Sequence, residues 1–287
     1  MNLQEKLSQS FKDLGSRLNG SESKSLRELR SRSFDYFKGQ GFPTNQDEEW
    51  KYTSLNKIVK RDFDFSSQVS SEILAEDIEP FLCEGLDSYK LIFINGVFNK
   101  SLSILGSNEK FFVGSLKQGM KEMPDIINAH YGKLADTKQS LVALNTAMAN
   151  EGAFVYVKKG VKLDKLVQIL FVNTNHEESR MMQTRNIFVL EDFAEAQIFE
   201  RHQAFNQGHV FSNSVTESSV GNQAHFKHFK LQNDLDSSSM VDSTFVKQGA
   251  NSSALVDTFA FSGELVRNNL HFEFTGMHAE AHMDAIT

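Results

Sequence analysis

The sequence predicts a mainly β protein with an α-helical N-terminal region, its later part wound into a right-handed parallel β-helix. Three observations carry that expectation. Apolar residues recur at steps of three and four near the N-terminus. From Ala153 onward the chain breaks into short segments rich in β-branched and aromatic residues. Within those segments a turn-like string returns at a nearly fixed interval.

In chain order, Leu3, Leu7, Phe11, Leu14 and Leu18 form a helical stripe. Ser21 to Ser25 is a polar break. Ser25-Leu-Arg-Glu28 has capping-box spacing, so a second helix is expected to run to about Lys38 with Leu26, Leu29 and Phe37 inward. Gly39 and Gly41 suit its end, and Pro43 stiffens the turn that follows. Thr44 or Asn45 is expected to cap a short helix whose first turn holds Asp47, Glu48 and Glu49. Trp50, Tyr52 and Leu55 read as its apolar anchors, with Trp50, Tyr52 and Thr53 assigned to packing.

Ile58 to Phe65 reads as partly extended, and Ser71 to Leu82 as an acidic helical stretch. Tyr89 to Phe98 reads as a hairpin turning at Asn95-Gly96. Ser115 to Asn150 returns to helix, broken at Pro124 and near Gly132, with Leu141, Leu144 and Met148 sharing a face. Strands are expected at Val167–Val172, Asn186–Leu190, Ala196–Glu200, His225–Phe229, Ala254–Phe259 and Asn269–Phe274. Lys158-Lys159, framed by Gly152 and Gly160, reads as a hairpin turn.

The repeat is weak but regular. It begins at Asp192-Phe-Ala-Glu-Ala-Gln-Ile, Gly221-Asn-Gln-Ala-His-Phe, Gly249-Ala-Asn-Ser-Ser-Ala-Leu and Gly276-Met-His-Ala-Glu-Ala-His, at intervals of 29, 28 and 27 residues. Such a period signals a solenoid, because each unit buries its apolar face only against its neighbours. A β-sandwich with regular turns is the alternative. The expected division is a mixed helical and short-strand domain over 1–152 and a β-helix core over 153–287. With the fourth repeat just begun at Thr287 and no cap after it, the residues are expected to be part of a longer chain, or to leave an open end that pairs.

Composition narrows the function classes. A net charge of −7 argues against a nucleic-acid partner, since phosphate binding wants a basic face. The polar Met1-to-Lys6 start is no secretory signal, and the longest apolar run, Leu166 to Val172, is too short to span a bilayer. A cytoplasmic location is therefore expected. One cysteine, Cys83, fits a reducing compartment and is too few thiols for a conventional iron–sulfur site. It sits in the apolar Pro80-Phe-Leu-Cys-Glu84, where an inert buried thiol is the better reading.

Several strings resemble the SufB/SufD family of iron–sulfur cluster assembly scaffolds. They are the helix ending Phe37-Lys-Gly-Gln-Gly-Phe-Pro43, the Glu49-Trp-Lys-Tyr-Thr53 string, Phe93-Ile-Asn-Gly-Val-Phe98, Leu144-Asn-Thr-Ala-Met-Ala-Asn-Glu-Gly152 and Leu265-Val-Arg-Asn-Asn269. Their placement looks more like the SufD side of that family than the SufB side. The resemblance covers nearly all of the chain, while family members are longer at the C-terminus. It implies a non-catalytic scaffold that supports cluster assembly or iron delivery. It also implies a heterodimer with a SufB-like subunit through the β-helix cores, and a SufC-like ATPase held through the missing C-terminal part. A homodimer is the alternative in isolation. No cofactor is expected to be bound stably; iron or an Fe–S cluster would be held only transiently, with partners.

Other constellations are weaker. His202, His209, His225, His228, His271, His278 and His282 crowd the last third. His225 and His228 fall on opposite strand faces, whereas His278, Glu280 and His282 can share one. No metal site is expected from them. Asp234, Asp236 and Asp242, near the Ser-rich Asp234–Ser239 loop, raise the alternative of a carbohydrate-active β-helix enzyme, a polysaccharide lyase or hydrolase. A structural solenoid of the tailspike kind is a third reading. No P-loop or Gly-x-Ser-x-Gly string occurs, so no catalytic residues are named.

Overall fold

The computed structural model describes residues 3–18, 22–65, 73–135, 138–174, 179–205, 208–234 and 237–287. Helices α1 (Leu3–Leu18) and α2 (Lys24–Gln40) open the chain, and a 3₁₀ turn follows at Glu48–Trp50. Next come strand β1 (Phe63–Asp64), helix α3 (Ala75–Ile78), and strands β2 (Ser88–Ile94), β3 (Val97–Phe98), β4 (Gly106–Ser107) and β5 (Phe111–Ser115). Helices α4 (Leu116–Glu122), α5 (Pro124–His130) and α6 (Ser140–Met148) complete the first half. Thereafter the described chain is strand and turn: β6 (Ala153–Val157), β7 (Leu166–Asn173), β8 (Ser179–Leu190), β9 (Glu195–Ala204), β10 (Val210–Val220), β11 (His225–Asn233), β12 (Ser238–Gln248), β13 (Ser253–Ser262), β14 (Leu265–Phe274) and β15 (Glu280–Ile286).

The strands alternate between two sheets. One runs β14-β12-β10-β8-β6-β5-β4, with β1 also on β8; the other runs β15-β13-β11-β9-β7-β2-β3. Among β6 to β15 the strands pair with one another only in parallel, while β6 meets β5 antiparallel. Val210 pairs with Arg180, 30 residues earlier, and with Ser238, 28 residues later, so each coil consumes about one sequence repeat. This is a parallel β-helix of about four turns, as the period predicts.

The repeated strings are the turns joining the sheets. Phe193, Gln223, Asn251 and His278 hold equivalent left-handed positions, with φ of 63°, 56°, 56° and 59°. The amide of Phe193 donates to Asn222 O, that of Gln223 to Ala250 O and that of Asn251 to Met277 O, so each turn is tied to the next. The coils approach so closely that a Cβ on Gly221 would lie 2.6 Å from the Asp192 nitrogen, and one on Gly276 would lie 2.4 Å from that of Ala250. Glycine begins the turns at 221, 249 and 276 for that reason.

Between the sheets Leu91, Val155, Ile169, Phe188, Ile198, Phe226 and Val256 make the solenoid's apolar core. A second core lies outside the first sheet, where Leu7, Phe34, Phe37, Trp50 and Leu55 pack against α6 and against Met181, Phe211 and Val241. The first sheet is therefore covered on both faces, whereas the outer face of the second shows the in–out alternation of a solvated sheet.

That difference explains the strands the sequence hides. Val210–Val220 and Ser238–Gln248, rich in serine and threonine, are not among the strands the sequence predicts. Both are long, almost wholly buried strands. Other local expectations shift too. The cap of α2 is Ser23, whose hydroxyl accepts from Leu26 N at 3.2 Å, and not Ser25. Asp47, not Thr44 or Asn45, begins the 3₁₀ turn, and its carboxylate accepts from Thr44 N at 2.7 Å. Tyr52 is 92% exposed and anchors nothing. Lys158-Lys159 joins strands of different sheets, so it is a solenoid turn rather than a hairpin. The acidic stretch is a helix only over Ala75–Ile78, continued as 3₁₀ to Phe81; Ser71 lies outside the described residues.

Candidate functional site

Two features of this scaffold bear on function: the joint between helices and solenoid, and a buried polar column.

The joint is built from the singled-out strings. In α6, Asn145 sits under the first sheet and its Nδ2 donates to Thr184 O and Asn213 O, each at 2.8 Å. Its Oδ1 accepts from Arg185 Nη1 at 3.1 Å. Arg185, fully buried, donates to Glu217 Oε2 at 2.6 Å. Glu217 also accepts from the amides of Gly132, Lys133, Leu134 and Ala135, between 2.7 and 3.0 Å. Burial alone would raise the Glu217 carboxyl; Arg185 and those amides outweigh it and hold it below the usual range. Arg185 and Arg30 both lie over the Tyr131 ring, 4.8 and 5.2 Å from its centroid. On the far side Arg267 covers Trp50 and its Nη1 donates to Glu49 O at 2.7 Å, joining the Glu49–Thr53 and Leu265–Asn269 strings.

The polar column lies inside the solenoid, beyond its apolar half. Glu200 accepts from His202 Nε2 at 2.7 Å and His228 Nε2 at 3.0 Å, and from Asn186 Nδ2 at 3.2 Å. Lys230, its neighbour across the ladder, donates to Asp242 and to Thr244 Oγ1 at 2.7 Å. All five ionisable groups are buried. Burial opposes the Glu200 charge, yet Lys230, His202 and His228 together hold its carboxyl well below the ordinary range. Burial lowers His228, and Glu200 restores only part of that. The arrangement balances charge in the solenoid interior.

The weighed candidates disperse. His225 is exposed while His228 is buried, on opposite faces as expected. His282 lies 4.0 Å from Glu280, whereas His278 sits in the turn before β15. Among the described residues no three His, Cys, Asp or Glu side chains are placed to hold a metal ion. Asp234 and Asp242 are buried, Asp242 inside a strand and paired with Lys230 rather than in a loop; Asp236 lies outside the described residues. Cys83 is partly buried, and burial raises its thiol against the pull of Arg201. Glu200 and Lys230 escaped the sequence reading. Their signal was there: charged residues at inward positions of alternating strands.

Two family models match in tandem and between them cover almost the whole chain: the SufBD protein N-terminal region over residues 1–169, and the SUF system FeS cluster assembly SufBD core domain over 171–287. The chain belongs to the SufBD family. Among its relatives are an iron–sulfur cluster assembly SufBD family protein of Synechocystis, 26% identical over 88% of this chain and 57% of its own length, and the iron–sulfur cluster assembly protein SufD of Escherichia coli, 24% identical over 86% and 55%. The chloroplastic protein ABCI7 of Arabidopsis thaliana is 25% identical over 89% and 54%. The chain thus spans about half the length of the curated relatives it matches. Family membership fits the β-helix and the joint alike: the five strings that suggested it lie on both sides of the helix–solenoid contact. Among the described residues no helix is long and apolar enough to cross a membrane.

Proposed function

We propose that this chain serves as a SufD-like, non-catalytic scaffold in iron–sulfur cluster assembly, working in the cytoplasm beside a SufB-like scaffold and a SufC-like ATPase. The observation that supports this most is the tandem match of the SufBD N-terminal region and core on a helical region bonded to a parallel β-helix. Iron and cluster are cargo here, held transiently with partners, and the ATPase supplies the driving force. The buried, mutually neutralised acid and base groups favour a structural role over general acid–base chemistry.

Co-expression of the full-length protein with its SufB-like and SufC-like partners, followed by affinity capture and size exclusion, tests the reading. A stoichiometric complex is expected. Recovery of the protein without either partner sinks it, as does measurable lyase or hydrolase turnover on acidic glycans.

A further inference from the structure

A cleft of about 370 Å³ opens beside α1, where the β2–β3 turn, α4, the residues after α6 and the start of β8 meet. That volume is within the usual range for small-molecule sites. Its lining includes the apolar side chains of Leu14, Met148 and Met181. The same lining brings in Glu151, Gln183 and Lys117, with Arg17 of α1 and Arg180 of β8.

Glu151 is the residue of the Leu144–Gly152 string that packing does not explain. Its main chain is fixed, because its carbonyl accepts from Arg185 N at 2.9 Å and Gly152 follows in a backbone conformation with φ of 147°. Its side chain enters the cleft with Oε2 buried and without a hydrogen-bond partner. Gln183 is anchored similarly: its Oε1 accepts from Asn213 Nδ2 at 2.7 Å, leaving Nε2 a buried donor without an acceptor. A buried acceptor and a buried donor, both unmatched and lining one cleft, ask for a ligand carrying the complementary groups. Burial pushes the Glu151 carboxyl up to about 7, with Lys117 pulling it back in part, so an arriving cation would ionise it.

We propose that this cleft binds a small zwitterion, an α-amino acid with an apolar side chain. Its ammonium pairs with Glu151. Its carboxylate takes the Gln183 amide and the positive charges of Lys117 and Arg17, and its side chain lies on Leu14, Met148 and Met181. An amine alone leaves Lys117 and Arg17 unanswered, and a carboxylate alone leaves Glu151 unanswered; the third cation of the lining, Arg180, lies 4.0 Å from the Asp64 carboxylate. The proposal does not depend on the scaffold reading.

The test is calorimetric titration of the full-length protein near pH 7 with L-leucine, and with isoamylamine and 4-methylpentanoate as its one-charge analogues. Saturable leucine binding is expected, at least about ten-fold tighter than either analogue, and weakened about ten-fold or more by Glu151→Gln and by Lys117→Met. Binding should also release a proton, seen as an enthalpy that changes with the ionisation heat of the buffer. That readout needs no variant and keeps the test decisive if Glu151→Gln fails to fold. Absence of saturable leucine binding at about 20 mM overturns the proposal. So does equal binding of either analogue, or a folded Glu151→Gln protein that binds leucine unchanged.

Discussion

The guanidinium of Arg267 lies 4.3 Å from the centroid of the Trp50 indole, and its Nη1 reaches both Glu49 O, at 2.7 Å, and Thr53 Oγ1, at 3.3 Å. One side chain of β14 thus clamps the whole Glu49–Thr53 turn to the solenoid. It supplies a cation over an aromatic face and two donors to a turn whose Trp50 is also packed in the second core. Arg267→Ala should destabilise the protein by about 1–2 kcal/mol in urea denaturation. Arg267→Lys should recover less than half of that loss, since an ammonium cannot span the ring and both acceptors. A double-mutant cycle with Trp50→Ala that returns no coupling would show the clamp to be energetically idle.

Removing the positive charge from the column should be costly. In Lys230→Met, Asp242 and Glu200 stay buried without the ammonium between them. A loss of roughly 3–5 kcal/mol, or failure to fold, is expected. Lys230→Met with Asp242→Leu should lose less than Lys230→Met alone, because a buried pair replaced by apolar residues of similar volume is often neutral. Equal or greater loss in the double variant would show that the hydrogen bond to Thr244, rather than charge balance, holds the column.

Stability should carry a signature of Glu151 between about pH 4.5 and 7. Its folded pKa of about 7 lies above the ordinary 4.5, so the folded state keeps a proton that the unfolded state releases in that window. The contribution is fully present below 4.5 and is lost as pH rises through about 7. Wild type minus Glu151→Gln should therefore fall by about 1–3 kcal/mol across the window. Glu200, held low by Lys230, His202 and His228, works in the opposite sense and loses its contribution as pH falls. The difference between wild type and Glu151→Gln isolates the first effect, and a flat difference would contradict it.

Gly152 should tolerate nothing larger. A Cβ there would stand 2.0 Å from the carbonyl oxygen of Arg185, in a backbone region that L-residues avoid. Gly152→Ala should cost more than about 3 kcal/mol or abolish folding. Gly160, with φ of 70° and open space around it, is the control, and Gly160→Ala should cost only about 1 kcal/mol. Similar melting temperatures for the two variants would refute the close approach.

The legible parts of the sequence were those where one face is wet. β9, β11 and β13 alternate because the outer face of their sheet meets water, so their period of two could be read directly. β10 and β12 were illegible because α6 and its neighbours cover the outer face while polar residues fill the inner one. Three of the four turns were legible because glycine is forced at 221, 249 and 276, where coils touch. Tyr52 was misread because sequence shows how apolar a residue is and not which way a three-residue turn points it.

By itself the chain determined its period, its helical opening and its family, since each is written in residues near one another. Only the folded molecule decided that Arg267 meets Trp50, that Glu200 lies against Lys230, and that Glu151 is left facing a cleft. Those pairings join residues of separate elements or coils. They follow from the register between rungs, set by the burial of both faces of a sheet at once, which no local pattern encodes.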